Sequence, residues 1–133
     1  MPGNNKTKRM GHRIDHFLRA QDYVFDEAIQ EILSGKKTGH WIWYIFPQMK
    51  GLGKSDMSET YAIQDRTHAL EYMSHPILCS HYIMCCQAIL DSGKSCYEIF
   101  GDEAENVSSS ILLMDSVWSD EVIKEVIKKH GWK

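Results

Sequence analysis

Pro76-Ile-Leu-Cys-Ser-His-Tyr-Ile-Met-Cys-Cys-Gln-Ala-Ile-Leu90 is the stretch that decides the fold. Pro76 suits the first turn of a helix, where a missing N–H leaves no hydrogen bond unmade. Asp91-Ser92-Gly93 supplies a stop. Between these signals Ile77, Leu78, Tyr82, Met84, Cys85, Ala88 and Ile89 spread apolar surface over much of a helical circumference. A helix apolar on most sides is a buried one. We therefore read it as the central helix of an all-α protein.

Upstream, Asp65 is placed to cap a helix over 66–74, and His75-Pro76 breaks it from its successor. Further back, Ile14, Phe17, Gln21, Val24, Phe25, Ala28 and Ile32 fall on one face at 100° per residue. That pattern predicts a helix capped by Asp15, running to about Leu33 and ended by Gly35. Gln21 is the polar exception on this face. It reads either as a core amide with its hydrogen bonds satisfied or as a carboxamide directed into a pocket. Downstream, Ser95 caps a short turn over 96–100, 101–106 reads as an acidic loop, and Asn106 or Ser108 caps a helix over 109–117. Ser119 with Asp120 and Glu121 opens a last helix to His130, with Val122, Ile123, Val126 and Ile127 as its buried stripe. The result is a compact single-domain array of about six helices over 13–133, preceded by a flexible polar tail at 1–12.

Composition narrows the class. The chain has 133 residues, 43% hydrophobic and 25% charged, enough for a core without disulfides or metal. Its net charge of −3 and isoelectric point near 6.1 argue against nucleic acid as a partner, which calls for a basic face. No apolar run approaches a membrane span, and no secretory h-region follows Met1. Cys79, Cys85, Cys86 and Cys96 cluster rather than forming a framework, which points to reduced thiols and a cytoplasmic protein. Cys79 and Cys86 share a helical face near His75, but a fourth ligand and a CxxC-type bite are both missing, so no metal site and no cofactor are expected.

The long connection between the first helix and Ser55 is the anomaly, and such a loop in a small helical domain is typically functional. Trp41–Phe46 is too short and too uniformly apolar to be told as strand or buried helix, and Pro47 stops either. His40-Trp-Ile-Trp43 sets two indoles beside an imidazole: core packing, or a flat wall for a planar ligand with His40 at its mouth. Gly51-Leu-Gly-Lys-Ser55 resembles the end of a phosphate loop, yet Gln48 stands where the first glycine belongs. What survives is a weaker pattern. Gly51 and Gly53 let backbone N–H groups converge on an anion, with Lys54 and Ser55 as further donors. Lys37 follows a helix end, where a cation is favoured, or it belongs to a cationic rim with Lys50 and Lys54.

These residues carry a resemblance. Phe17-Leu-Arg-Ala-Gln21, Tyr23, Gly35-Lys-Lys37, His40-Trp-Ile-Trp43, Phe46-Pro-Gln48, Gly51-Leu-Gly-Lys-Ser55, Tyr61-Ala-Ile63, Tyr72, His75-Pro76, Ile99-Phe-Gly101 and the Ser109-Ser110 pair resemble the DUF1810 family, also classed as Rv1873-like. The likeness spans about Phe17 to Ile127. It implies an all-α fold and no particular activity. The chain departs from the family pattern at 106–111, where Asn106-Val-Ser-Ser-Ser-Ile111 stands.

Gln21, His40, Gln48, Ser55 and Tyr61 are polar residues a helical core does not need. We expect them to converge on a cleft between the first helix and the 40–55 loop, binding a small anionic, nucleotide-like molecule. Trp41 or Trp43 would supply an apolar wall, Gly51, Gly53, Lys37 and Lys54 would meet the anion, and His40 and Gln48 would orient it. If the protein is an enzyme, His40 is the general acid–base of a hydrolytic or transfer step. The rival reading is a protein-interaction module with the loop's aromatics as anchors. Single-stranded RNA is a distant third, disfavoured by the acidic balance.

Overall fold

The computed structural model describes residues 2–52 and 55–132, with side chains from Arg13 onward. It is all-α, with no named strand among the described residues. The elements are α1 (Pro2–Ser34), α2 (Ile42–Ile45), α3 (Asp56–Thr60), α4 (Arg66–Ser74), α5 (Pro76–Ser92), α6 (Cys96–Phe100), a 3-10 turn at Gly101–Glu103, α7 (Ala104–Val117) and α8 (Glu121–His130).

α5 is central. It packs along α1 and also against α2, α4 and α8, while α7 rests on α4, α6 and α8. Leu78, Tyr82, Cys85, Cys86 and Ile89 of α5 are fully buried. Its apolarity overstates its burial on one side, because Ile77 and Met84 are about half exposed. His75 Nδ1 accepts from Ile77 N and Pro76 opens the helix, while Gly93 ends it in the left-handed region at φ +72°.

The core is threaded by rings packed edge to face. Trp41 meets Phe100, Phe100 meets Phe46, Phe46 meets Tyr82, Tyr82 meets Tyr72 and Tyr72 meets Phe17, with centroids 5.0–6.2 Å apart. Each such pair adds about 0.5–1.5 kcal/mol beyond its area. The line ties α6, the α2 segment, α5, α4 and α1 together. Trp41–Phe46 thus resolves as a one-turn buried helix.

Two helix starts differ from expectation. α1 reaches back to Pro2, so Asp15 lies inside the helix rather than at its cap; the side chains of residues 1–12, where a flexible tail is expected, lie outside the described set. α7 begins at Ala104, not Ser109. The serines resemble caps but sit within the helix: Ser108 Oγ bonds back to Glu105 O at 3.0 Å, and Ser110 is buried with its hydroxyl 2.9 Å from that of Tyr82. The caps at Asp65 and Ser95 stand where the sequence puts them, Ser95 in a full capping box with Glu98. Asp120 rather than Ser119 caps α8. Among the described residues no helix is long and apolar enough to cross a membrane.

Candidate functional site

Pro47 ends the α2 segment, and the chain then leaves the core and returns. Its two ends are stitched together: Ile63 N donates to Gln48 O at 2.7 Å and Lys50 N to Ile63 O at 2.8 Å, a parallel bridge between Met49 and Ile63. The segment between them is an Ω-type strap that carries α3. Gly51 makes the outward bend at φ +91°, a conformation L side chains rarely adopt. The return end is held to α1 and α4. His68 Nδ1 accepts from Gln64 N at 2.9 Å, so its Nε2–H donates to Arg13 O at 2.6 Å. Burial pushes the His68 pKa down, favouring this neutral form.

At the strap's root Gln48 is only 6% exposed, and its Nε2 is buried with no hydrogen-bond partner among the described residues. A sealed, unpartnered amide donor costs about 1–3 kcal/mol, and such groups are rare enough to call for a reason. Gln48 lines a cleft of about 170 Å³ together with Leu52, Glu105, Asn106 and Ser109. Of the last three, Ser109 lies three residues from Asn106 and four from Glu105, so all three fall toward one side of α7. The cleft is therefore walled by the strap and α7, not by α1.

The other expected site residues disperse. Gln21 is buried in the core, its Nε2 donating to Tyr44 O at 2.8 Å and to Tyr72 Oη at 2.9 Å. A carbonyl can only accept, so the amide orientation is fixed, and Gln21 Oε1 must take the Nδ1–H of His81 at 2.8 Å. His81 in turn stacks on Phe25 at 3.7 Å. Trp41 is fully buried, with its indole N–H on Glu31 at 3.0 Å. Lys37 pairs with Glu103 at 2.7 Å, bonds Gly39 O and lies 5.2 Å from the Trp41 ring centre. Trp43 and Tyr61 are half-buried, and Tyr61 packs against Tyr44 and His16. Ser55 caps α3 by accepting from Ser58 N. His40 is exposed, and neither it nor Gln21 is among the residues lining the Gln48 cleft. Gly53 and Lys54 lie outside the described residues.

Glu31 organises the turn that leads into the aromatic run. Burial works to raise its pKa, but N–H groups of Gly39, Thr38 and the Trp41 indole outweigh it and bring the carboxyl to about 2. Thr38 N and Gly39 N donate to Glu31 Oε1 at 2.7 and 2.9 Å. Gly39 is required by close packing: a Cβ there would stand 2.7 Å from Glu27 Oε2 and 2.9 Å from Trp41 Cδ1. The four cysteines are free thiols, and Cys85, Cys86 and Cys96 are buried, Cys96 with its pKa pushed up by burial to about 12. Among the described residues no group of three His, Cys, Asp or Glu side chains is arranged to hold a metal.

In the sequence Glu105 and Asn106 read as loop and capping residues and Ser109 as part of a serine triplet at a helix start; only the packing of α7 on the strap brings the three to the cleft. A regular helix through 104–109, legible in Ala104 and Glu105 as good helix formers, would have put the three on one face.

Comparison with known proteins agrees with this architecture. No curated protein matches the chain. The crystal structure of the conserved hypothetical protein Rv1873 from Mycobacterium tuberculosis is similar, with a TM-score of 0.83 and 30% identity over 89% of this chain and 87% of that one. The family model described as "protein of unknown function (DUF1810)" matches residues 11–131. The chain belongs to the DUF1810 family.

Proposed function

We propose that the protein binds a small polar molecule in the cleft between the strap and α7, with Gln48 as the central hydrogen-bonding group. The single observation that carries this reading is the buried, unpartnered Nε2 of Gln48 in a residue that lines a cleft. A ligand acceptor satisfies that donor on binding. At about 170 Å³ the cleft is below the ~300–1,000 Å³ of sites that enclose drug-sized molecules. It takes one ring or one headgroup, whether free or the end of something larger.

Charge supports the reading less than hydrogen bonding does. Of the cations enlisted for an anionic ligand, Lys37 is committed to Glu103. Docking through the loop's aromatics has less support still, because Trp41 and Phe46 are core residues.

The test is amide NMR on the full chain, following the side-chain NH₂ resonances of Gln48 and Asn106 during titration with a fragment panel of amides, polyols and small anions. The expected result is a saturable shift of both pairs with at least one fragment. Binding that leaves Gln48 unmoved across the panel would refute the site.

A further inference from the structure

The walls of the cleft say more than that something polar binds there, and this step rests on the ligand-binding reading above. We infer that the ligand group is an uncharged one with adjacent hydroxyls, such as a single sugar ring or a cyclic polyol, rather than an anion. The donor–acceptor inventory points that way. Gln48 Nε2 offers donors without a partner. Glu105 is an acceptor-only carboxylate, and Asn106 and Ser109 each offer both a donor and an acceptor. Hydroxyl groups match such a mixed wall because each one donates and accepts. Two neighbouring hydroxyls can give both protons to one carboxylate while their oxygens accept from the amides.

An anion fits the same wall poorly. It satisfies Gln48 but faces Glu105, and like charges at close range disfavour binding. Among the described residues no lysine or arginine lines the cleft. Glu105 also occupies the first turn of α7, where the helix end would otherwise favour an anion. On the strap side Leu52 is 61% exposed and lines the cleft. It offers an aliphatic surface to the C–H face of a ring. The volume accommodates one ring, not a nucleotide.

The experiment is isothermal titration of the full chain, paired with the Gln48 NH₂ signal. The probes are myo-inositol, D-glucose and D-ribose on one side and inorganic phosphate and citrate on the other. At least one polyol should bind with a dissociation constant on the order of millimolar, as a fragment-sized contact allows. It should weaken about tenfold in Glu105→Gln, where a charge-assisted acceptor is lost. Glu105 is exposed on α7 and its substitution leaves the core intact, and Ser109→Ala is the second variant, expected to weaken the same polyol. Binding of phosphate or citrate that tightens in Glu105→Gln would overturn the inference. So would failure of every polyol to bind. The two levels separate cleanly. If an anion or amide fragment moves the Gln48 signal, the site stands and the hydroxyl class falls. If nothing moves it, both fall.

Discussion

Replacing Gln48 by methionine should make the protein more stable. The two side chains are similar in length and flexibility, and methionine adapts to irregular gaps. The exchange removes the Nε2 donor, which is buried and unpartnered, from a residue 6% exposed. An unmade hydrogen bond of this kind costs about 1–3 kcal/mol. The thioether does not reproduce the amide's shape, which offsets part of that gain, so the gain expected is about 1 kcal/mol. Urea unfolding followed by tryptophan fluorescence reads it directly. With a slope of about 2 kcal/mol/M the midpoint rises by about 0.5 M, and the melting temperature by about 4 °C for a chain of this size. The slope itself should not change. The same variant should lose the ligand response of the wild type, separating a gain in stability from a loss of binding. A Gln48→Met protein less stable than wild type by 1 kcal/mol or more would refute the reasoning, because the amide would then be holding the strap rather than waiting for a partner.

Further outcomes follow from the surrounding architecture. Glu31 has its folded pKa lowered from 4.5 to about 2, so it stabilises the fold above pH 4.5 and that contribution is lost as pH falls toward 2. The drop corresponds to about 3 kcal/mol, screened by partial exposure to nearer 2 kcal/mol; Glu31→Gln should cost that much in urea unfolding at neutral pH and flatten the acid limb. Gly39→Ala should destabilise by about 1–3 kcal/mol through the clash at Trp41 Cδ1 and alter the tryptophan emission. Gln21→Leu takes the Nε2 donor from Tyr44 O and Tyr72 Oη and the acceptor from the His81 N–H, leaving Tyr72 Oη and Tyr44 O only their mutual 3.4 Å bond, and should cost about 2 kcal/mol by thermal unfolding. His40→Ala, at an exposed position, should leave stability within about 0.5 kcal/mol and leave the Gln48 NMR response intact.

Much of the helical plan is legible in the sequence because its signals are local. Asp65, Ser95 and the pair His75-Pro76 act on backbone groups within three residues, so the same letters that cap in the structure announce the cap in the chain. The errors come where a local signal competes with packing. Ser108–Ser110 looks like a cap, but Ser110 is committed to Tyr82 from another helix, and α7 starts a turn and a half earlier. The strap's closure at Met49 and Ile63 leaves no periodicity at all. The site is half legible for the same reason. Gln48 stands out as a polar residue after a proline stop, but Glu105 and Ser109 become its neighbours only through tertiary contact.

Gln21 and Gln48 show how a structural amide is told from one available to a ligand. Both are glutamines in or near the aromatic region, and both are more than nine-tenths buried. From sequence they are equivalent candidates. Gln21 uses both amide protons and its oxygen on Tyr44, Tyr72 and His81, three partners on three other elements, so its position and rotamer are over-determined. Opening that network to a ligand would break more hydrogen bonds than it makes. Gln48 is fixed through its backbone, whose carbonyl takes the Ile63 N–H, while its side-chain donor is left without a partner. A ligand there adds a bond and removes none. Residue type is the same at the two positions and both are buried; they differ in hydrogen-bond satisfaction and in that Gln48, not Gln21, lines the cleft. That difference is why the proposed binding belongs at the cleft at α7 rather than on the α1 face on which the sequence places Gln21.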